Sequence, residues 1–167
     1  MSYRKIITLI VLAILALSLE GCGIKRLKEL KVTSWSLESV SLRGLRGLYA
    51  EMSLGIENPG IKITLDDISG TIFYNGEEFL RYKMEPLTLK ARCTEVYPCH
   101  CTMDFEKSKS ILDILAALNG FSLEHVTTDL DAKVKMNGIF SRKVSFKNIP
   151  VHVLLNRFKK TDKNENV

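Results

Sequence analysis

The sequence has little of what an enzyme active site is built from. It contains only 3 His, 4 Cys and 1 Trp in 167 residues. Residues 43–47 pair two arginines with two glycines, but the lysine and helix of a phosphate-binding loop do not follow. Ser39 and Ser41 have no His and Asp placed to form a nucleophilic triad with them. We therefore expect a protein that is not an enzyme and has no catalytic residues, metal or cofactor.

The sequence also lacks the marks of a nucleic-acid-binding protein. The formal net charge is +5 at pH 7, but no basic stripe is interleaved with aromatic residues. The basic excess lies instead in Lys25, Arg26 and Lys28 and in the tail 157–167. We therefore expect no nucleic-acid partner. If the basic segment at residues 25–28 lies next to a membrane attachment, its charge favours an anionic membrane surface.

No hydrophobic run is long enough to span a bilayer comfortably as a helix. The longest, Ile6–Leu19, has about 14 residues where roughly 20 are needed. After Arg4 and Lys5 it matches the apolar region of a signal peptide. We therefore predict that residues 1–21 are a signal peptide. The alternative is an uncleaved N-terminal anchor.

The residues that follow, Leu19–Cys22, resemble the lipobox of bacterial lipoproteins. By that resemblance Gly21 is the last residue of the signal and Cys22 receives acyl chains such as palmitate, although Glu20 departs from the usual small or aliphatic residue. Two or three acyl chains hold a protein firmly, whereas one gives only marginal binding. Gly23 is not acidic, which by the same resemblance favours an outer-membrane lipoprotein facing the periplasm.

Residues 48–76 show alternation of apolar and polar side chains, the period of a half-buried β-strand. Asn58-Pro59-Gly60 breaks the first run, because proline lacks an N–H and glycine accepts positive φ. A second run ends at Asn75-Gly76, a strong hairpin signal that recurs at Asn137-Gly138. These patterns place strands on both sides of each turn.

Similar patterns extend over the rest of the chain. We predict a tether at residues 22–29, one domain at 30–156 and a charged tail at 157–167, with Trp35 in the core. Residues 95–98 are expected to break a strand, residues 108–118 to form a helix, and Val151, Val153 and Leu155 to lie on the last strand. Seven or eight short strands with regular turns predict an all-β sandwich with one short helix.

The order of these motifs resembles the second group of late embryogenesis abundant proteins, also called the water-stress and hypersensitive-response (WHy) domain. The marks are Asn58-Pro59 after the first core strand and the run Gly70 to Gly76, which ends in Tyr-Asn-Gly. The resemblance covers about residues 30–155. It implies an immunoglobulin-like or fibronectin-III-like β-sandwich without known catalytic residues, and many bacterial members are lipoproteins.

Cys93, Cys99 and Cys101 form the one cluster that can carry chemistry. An exported domain meets an oxidising compartment, so a disulfide from Cys93 to Cys99 or Cys101, across the expected break, ranks ahead of plain packed thiols. A metal site ranks last, because on a strand His100 points away from Cys99 and Cys101 and the spacing matches no zinc signature.

Two functions follow from these features. The first is a non-enzymatic, membrane-anchored binding or scaffolding module of the cell envelope, with a role in stress protection suggested by the resemblance. Its partners are the membrane, through the lipid anchor, and an envelope protein of unknown identity. The second is a periplasmic carrier of a hydrophobic ligand such as a lipid.

Overall fold

The computed structural model describes residues 29–108 and 122–153, which form eight antiparallel β-strands and one 3₁₀ turn at Leu123–His125. The strands are β1 (Lys31–Arg43), β2 (Gly47–Asn58), β3 (Ile63–Tyr74), β4 (Glu77–Met84), β5 (Leu87–Leu89), β6 (Cys93–Phe105), β7 (Val126–Met136) and β8 (Phe140–Pro150). The all-β sandwich prediction is confirmed.

The strands are hydrogen-bonded in the order β1-β2-β6-β4-β3-β7-β8, with β5 beside β3. Buried side chains of β2 and β6 belong to the same cluster as those of β3, β5 and β7. Strands far apart in this order share one core only if the sheet curls back on itself, so that its two wings face each other. The strand β4 joins the wings, because it pairs with β6 on one side and β3 on the other.

The alternation predicted for β2 is present in the structure. Ala50, Leu54 and Ile56 have no exposed surface, and Met52 is 1% exposed. Each of the larger side chains stabilises the fold by about 1.5–3 kcal/mol relative to an exposed position. The strand β2 therefore supplies one wall of the core along most of its length.

In β3 the buried positions switch from odd-numbered to even-numbered residues: Ile63 and Leu65 are buried, and the next buried residue is Ile68. The ladder between β3 and β7 is irregular between Asp66 and Ser69, and Asp67 has a φ of 50°. A β-bulge of this kind adds a residue and restores the same face to the core. The parity shift in the sequence is thus the trace of a bulge.

The two Asn-Gly pairs form tight hairpin turns as predicted. Asn75 and Gly76 have φ values of 52° and 81°, and Asn137 and Gly138 have 49° and 73°. Two successive residues at positive φ match the right-handed twist of the flanking strands, and Asn and Gly reach that region at low cost. The turns therefore fix the registers of β3 with β4 and of β7 with β8.

Three predictions about elements are wrong. Trp35 was expected in the core, but it is 46% exposed because it lies on the edge strand β1.

No break occurs at residues 95–98, since β6 pairs with β2 without interruption. Pro98 is tolerated there because β4 pairs with β6 only from Cys101 onward, leaving the missing N–H of Pro98 on an unpaired side. Residues 151–153 are helical, and the strand ends before them at Pro150.

Several predictions lie outside the described residues. These are the signal peptide, the lipidation site at Cys22, most of the tether, the helix at 108–118 beyond Ser108, and the tail at 157–167. Within residues 29–108 and 122–153, no helix is long and apolar enough to cross a membrane.

Candidate functional site

The three cysteines of the predicted cluster all lie on β6 and are free thiols. The predicted disulfide from Cys93 is wrong, because β6 is one continuous strand. At a rise of about 3.3 Å per residue, Cys93 lies roughly 20 Å from Cys99 and farther still from Cys101. A disulfide requires Cα atoms within about 7 Å of each other.

Cys99 and Cys101 face the core, at 5% and 0% exposure. Burial raises the pKa of each thiol to about 12. The thiolate is the form that attacks electrophiles and binds metals, so both thiols are chemically inert at neutral pH. They act as small apolar side chains in the wall opposite β3 and β7.

His100 lies on the outer face of β6, opposite to Cys99 and Cys101 as the strand period predicted. Its Nδ1 atom is 2.7 Å from a carboxylate oxygen of Glu85, and its ring stacks on Tyr49 with centroids 6.0 Å apart. Within residues 29–108 and 122–153, no three His, Cys, Asp or Glu side chains converge as a metal site. The Glu85 contact orients the imidazole on an open surface.

A groove of about 580 Å³ lies beside β4. It is lined by Arg46, Ser69, Gly70, Thr71, Arg81, Tyr82, Lys83, Asp104, Phe105, Lys107 and Asp131. Two of its cations already have partners: Arg46 donates to the carbonyl oxygens of Glu106 and Lys107, and Arg81 pairs with Glu78 at 2.6 Å. The groove is open to solvent and most of the residues that line it are charged or polar, although their apolar atoms supply much of its surface. Such an open site suits a surface contact better than an enclosed ligand.

Tyr82 and Gly70 form the floor of this groove through a close contact. Tyr82 extends from β4 across β3 at Gly70 and donates its hydroxyl hydrogen to the backbone oxygen of Asp129 on β7, at 2.8 Å. A Cβ atom at Gly70 would lie 2.0 Å from that oxygen and 2.3 Å from the hydroxyl. Burial raises the pKa of Tyr82. The tyrosine is therefore a neutral hydrogen-bond donor that joins three strands.

Asn58 closes one end of the sandwich. Its side chain is buried, donates to the backbone oxygens of Ile61 and Lys90 at 2.8 and 2.7 Å, and accepts from the backbone N–H of Gly60 at 3.0 Å. The Lys90 contact joins the turn after β2 to the turn after β5. The Asn-Pro motif is thus a structural connection between the two wings.

Two long strands, β1 and β8, have a partner on one side only in the described part of the chain. The strand β8 carries Arg142, Lys143 and Lys147 and ends in Pro150, features that discourage pairing with another strand. Between its terminal residues, β1 carries the single charge Glu38. The edge of β1 is therefore the more receptive to an added strand, although bulges interrupt its register at two places.

Sequence patterns did not identify the groove or the Tyr82 contact. Both depend on which strands become neighbours, and β7 is distant in the chain from the β3–β4 hairpin. The one available signal was Gly70, a glycine within an alternating strand pattern, which often marks a close approach of another group. Of the other two histidines, His125 is exposed and His152 is half-buried, and the Nδ1 atom of His152 is buried without a hydrogen-bond partner in the described part of the chain.

Comparisons with known proteins do not assign the chain to a family. No model of a known protein family matches the chain, and no curated protein matches it. The chain is similar to a protein from Archaeoglobus fulgidus whose crystal structure is solved, at 12% identity and a TM-score of 0.45, covering 70% of this chain and 96% of that one. At this level the likeness bears on neither function nor partner.

Proposed function

We propose that this chain is a non-enzymatic binding module of the bacterial cell envelope, a lipoprotein anchored through Cys22 and built on a WHy-like domain. It resides in the outer membrane and faces the periplasm. The sequence supports the anchor through its apolar leader and the lipobox-like residues Leu19–Cys22. In the described residues the buried side chains form one packed cluster and the core thiols are inert, which supports a role carried by a surface.

The edge of β1 is the observation that carries the binding role. This strand has 13 residues and little charge between its ends, and within residues 29–108 and 122–153 it has one partner strand. An extended segment of a partner protein can add to such an edge through main-chain hydrogen bonds, with side-chain contacts giving specificity. The partner is an envelope protein that offers an extended segment with alternating side chains.

The anchor is tested by the intact mass of the protein purified from membranes of its native host. The expected mass is that of a chain beginning at Cys22, increased by two or three acyl chains. A Cys22→Ser variant should retain its leader and gain no acyl mass. A mature protein that still carries residues 1–21 with an unmodified Cys22 would refute the lipoprotein assignment.

The binding role is tested by placing a photo-cross-linking amino acid at Leu42 on β1 and, as the matched control, at Lys143 on β8. We expect a discrete cross-linked envelope protein from the β1 position only. Ser41→Lys should suppress that product, because a lysine on an edge strand opposes pairing, whereas Ser141→Lys on β8 should not. Equal products from both edges, or none from β1, would contradict the proposal.

No described feature favours the alternative of a hydrophobic carrier. The groove is lined largely by charged and polar residues, and the buried side chains belong to one packed cluster. Native mass spectrometry of the protein in the absence of detergent separates the two functions. A stoichiometric small molecule that is lost on solvent extraction would favour the carrier over the scaffold.

A further inference from the structure

The N-terminal chain enters the domain at the end that Asn58 closes. The strand β1 begins there, with Lys31 paired to Glu57. The backbone N–H of Arg92 donates to Gly60 at 3.2 Å, which brings the β5–β6 turn to the same place. We call this end, formed by residues 29–31, 58–62, 90–93 and 136–140, the tether end.

The β7–β8 hairpin also belongs to the tether end, because the backbone N–H of Asn137 donates to the oxygen of Lys62 at 2.9 Å. Its tip presents two large apolar side chains, Ile139 at 79% and Phe140 at 71% exposure. Neighbouring exposed apolar residues on a soluble surface often mark an interaction site. Transfer of each of these side chains out of water is favourable.

Positive charge accompanies these apolar side chains. Lys62 and Arg92 are exposed at the tether end. Three acidic side chains also lie here: Glu57 and Glu95 are offset by Lys31 and Lys90, at 3.7 and 2.8 Å, and Glu29 is exposed near Gly60. The four cations of this end, Lys31, Lys62, Lys90 and Arg92, still outnumber them. Each cation near an anionic lipid surface is attracted to it. An apolar tip flanked by cations is complementary to an anionic bilayer interface.

The opposite end has a similar composition and serves as an internal comparison. Leu42 and Leu45 are 81% and 85% exposed there, beside Arg43 and Arg46. The length of β1 separates the two ends by roughly 40 Å at 3.3 Å per residue. The seven residues from Cys22 to Glu29 span at most about 25 Å when fully extended. A lipid on Cys22 therefore favours contact of the bilayer with the tether end.

We propose that the tether end is a membrane-docking surface, in which Ile139 and Phe140 enter the interface of an anionic bilayer and Lys62 and Arg92 contact lipid phosphates. This proposal rests on the lipid anchor at Cys22. The anchor supplies the attachment, and the docking fixes the orientation: β1 stands away from the bilayer, and the groove beside Arg46 and Arg81 opens toward the periplasm.

The test uses the full lipidated protein, reconstituted into vesicles of phosphatidylcholine and phosphatidylglycerol with or without brominated acyl chains. In a Trp35→Phe background, one variant carries Phe140→Trp and the matched control carries Leu45→Trp. We expect about a twofold bromine-dependent loss of fluorescence at position 140 and almost none at 45, because bromine quenches indoles that enter the interface by roughly 5–10 Å.

Each outcome has one meaning. Vesicle flotation without quenching at position 140, or with equal quenching at both positions, overturns the docking proposal and leaves the anchor intact. Failure of the protein to float refutes the anchor, and the docking proposal falls with it. Lys62→Glu with Arg92→Glu should reduce the quenching at position 140, whereas Arg43→Glu with Lys107→Glu should not. Unchanged quenching in the first pair overturns the phosphate contacts.

Discussion

Replacement of Asn58 by alanine is the sharpest test of how the sandwich is closed. The side chain makes three hydrogen bonds to backbone groups, of Ile61, Lys90 and Gly60, at 2.7–3.0 Å. It is 1% exposed, so water cannot replace these bonds without a local rearrangement. At about 0.5–1.5 kcal/mol net for each bond, Asn58→Ala should lower the free energy of unfolding by about 2–4 kcal/mol.

The assay is urea denaturation followed by circular dichroism, with the midpoint concentration as the readout. A thermal melt should show a fall of roughly 3–5 °C for each kcal/mol in a domain of this size. Glu57→Ala is the control, since it removes only the exposed pair with Lys31, a contact worth about 0–1 kcal/mol. A midpoint for Asn58→Ala equal to that of Glu57→Ala would refute the assigned role.

Asn58→Asp adds a pH-dependent form of the same test. The carboxylate would place a charge against the backbone oxygens of Ile61 and Lys90, which the native amide donates to. That repulsion and the burial raise the pKa of the new carboxyl above its unfolded value near 4. The folded state then binds more protons, so the variant should be closest to wild type below about pH 4 and lose stability as the pH rises. Equal destabilisation at pH 3 and pH 7 would contradict the donor role of the amide.

The remaining predictions concern the core. Gly70→Ala should destabilise the domain by about 1–3 kcal/mol or prevent folding, because its Cβ would overlap atoms of β7 and Tyr82. Tyr82→Phe should cost about 1 kcal/mol by urea denaturation, and a loss as large as that of Gly70→Ala would point to packing instead of the hydrogen bond. Cysteine alkylation at pH 8, resolved by peptide mass, should label the partly exposed Cys93 but not Cys99 or Cys101. At a pKa of about 12, only about one in 10⁴ of these two thiols is ionised at that pH. Addition of urea should expose both thiols to labelling. Stability should be constant to about pH 8 and then fall as the pH rises toward 12. The two folded thiols keep their protons up to a pKa of about 12, whereas the unfolded ones lose theirs at about pH 8.5, at up to about 1.4 kcal/mol per pH unit for each. Cys99→Ala with Cys101→Ala should flatten this slope.

Local patterns predicted the strands whose burial alternates along the chain. The apolar positions of β2 and β7 follow the period of two because one face of each strand meets the core. The Asn-Gly turns were equally predictable, since their chemistry resides in two adjacent residues. Even the bulge in β3 left a trace, as a change of parity between Leu65 and Ile68.

The features that were predicted wrongly or not at all depend on which strands lie next to each other in the sheet. Pro98 is harmless because β4 pairs with β6 only from Cys101 onward, which no local pattern reveals. Trp35 is exposed because β1 lies at an edge. The predicted disulfide failed for the same reason as the predicted break, since a continuous β6 holds Cys93 and Cys99 apart.

The strand order has a consequence for the export that we propose. Its central ladders join distant segments: Gly47 pairs with Asp104, and Ile72 pairs with Thr128. Non-local pairing slows folding, because loops must close before these contacts form. A nascent chain cannot complete the sheet until nearly all of it has been synthesised. For the envelope location that we propose, slow closure would leave the polypeptide unfolded long enough to pass through a secretion channel before the sheet forms.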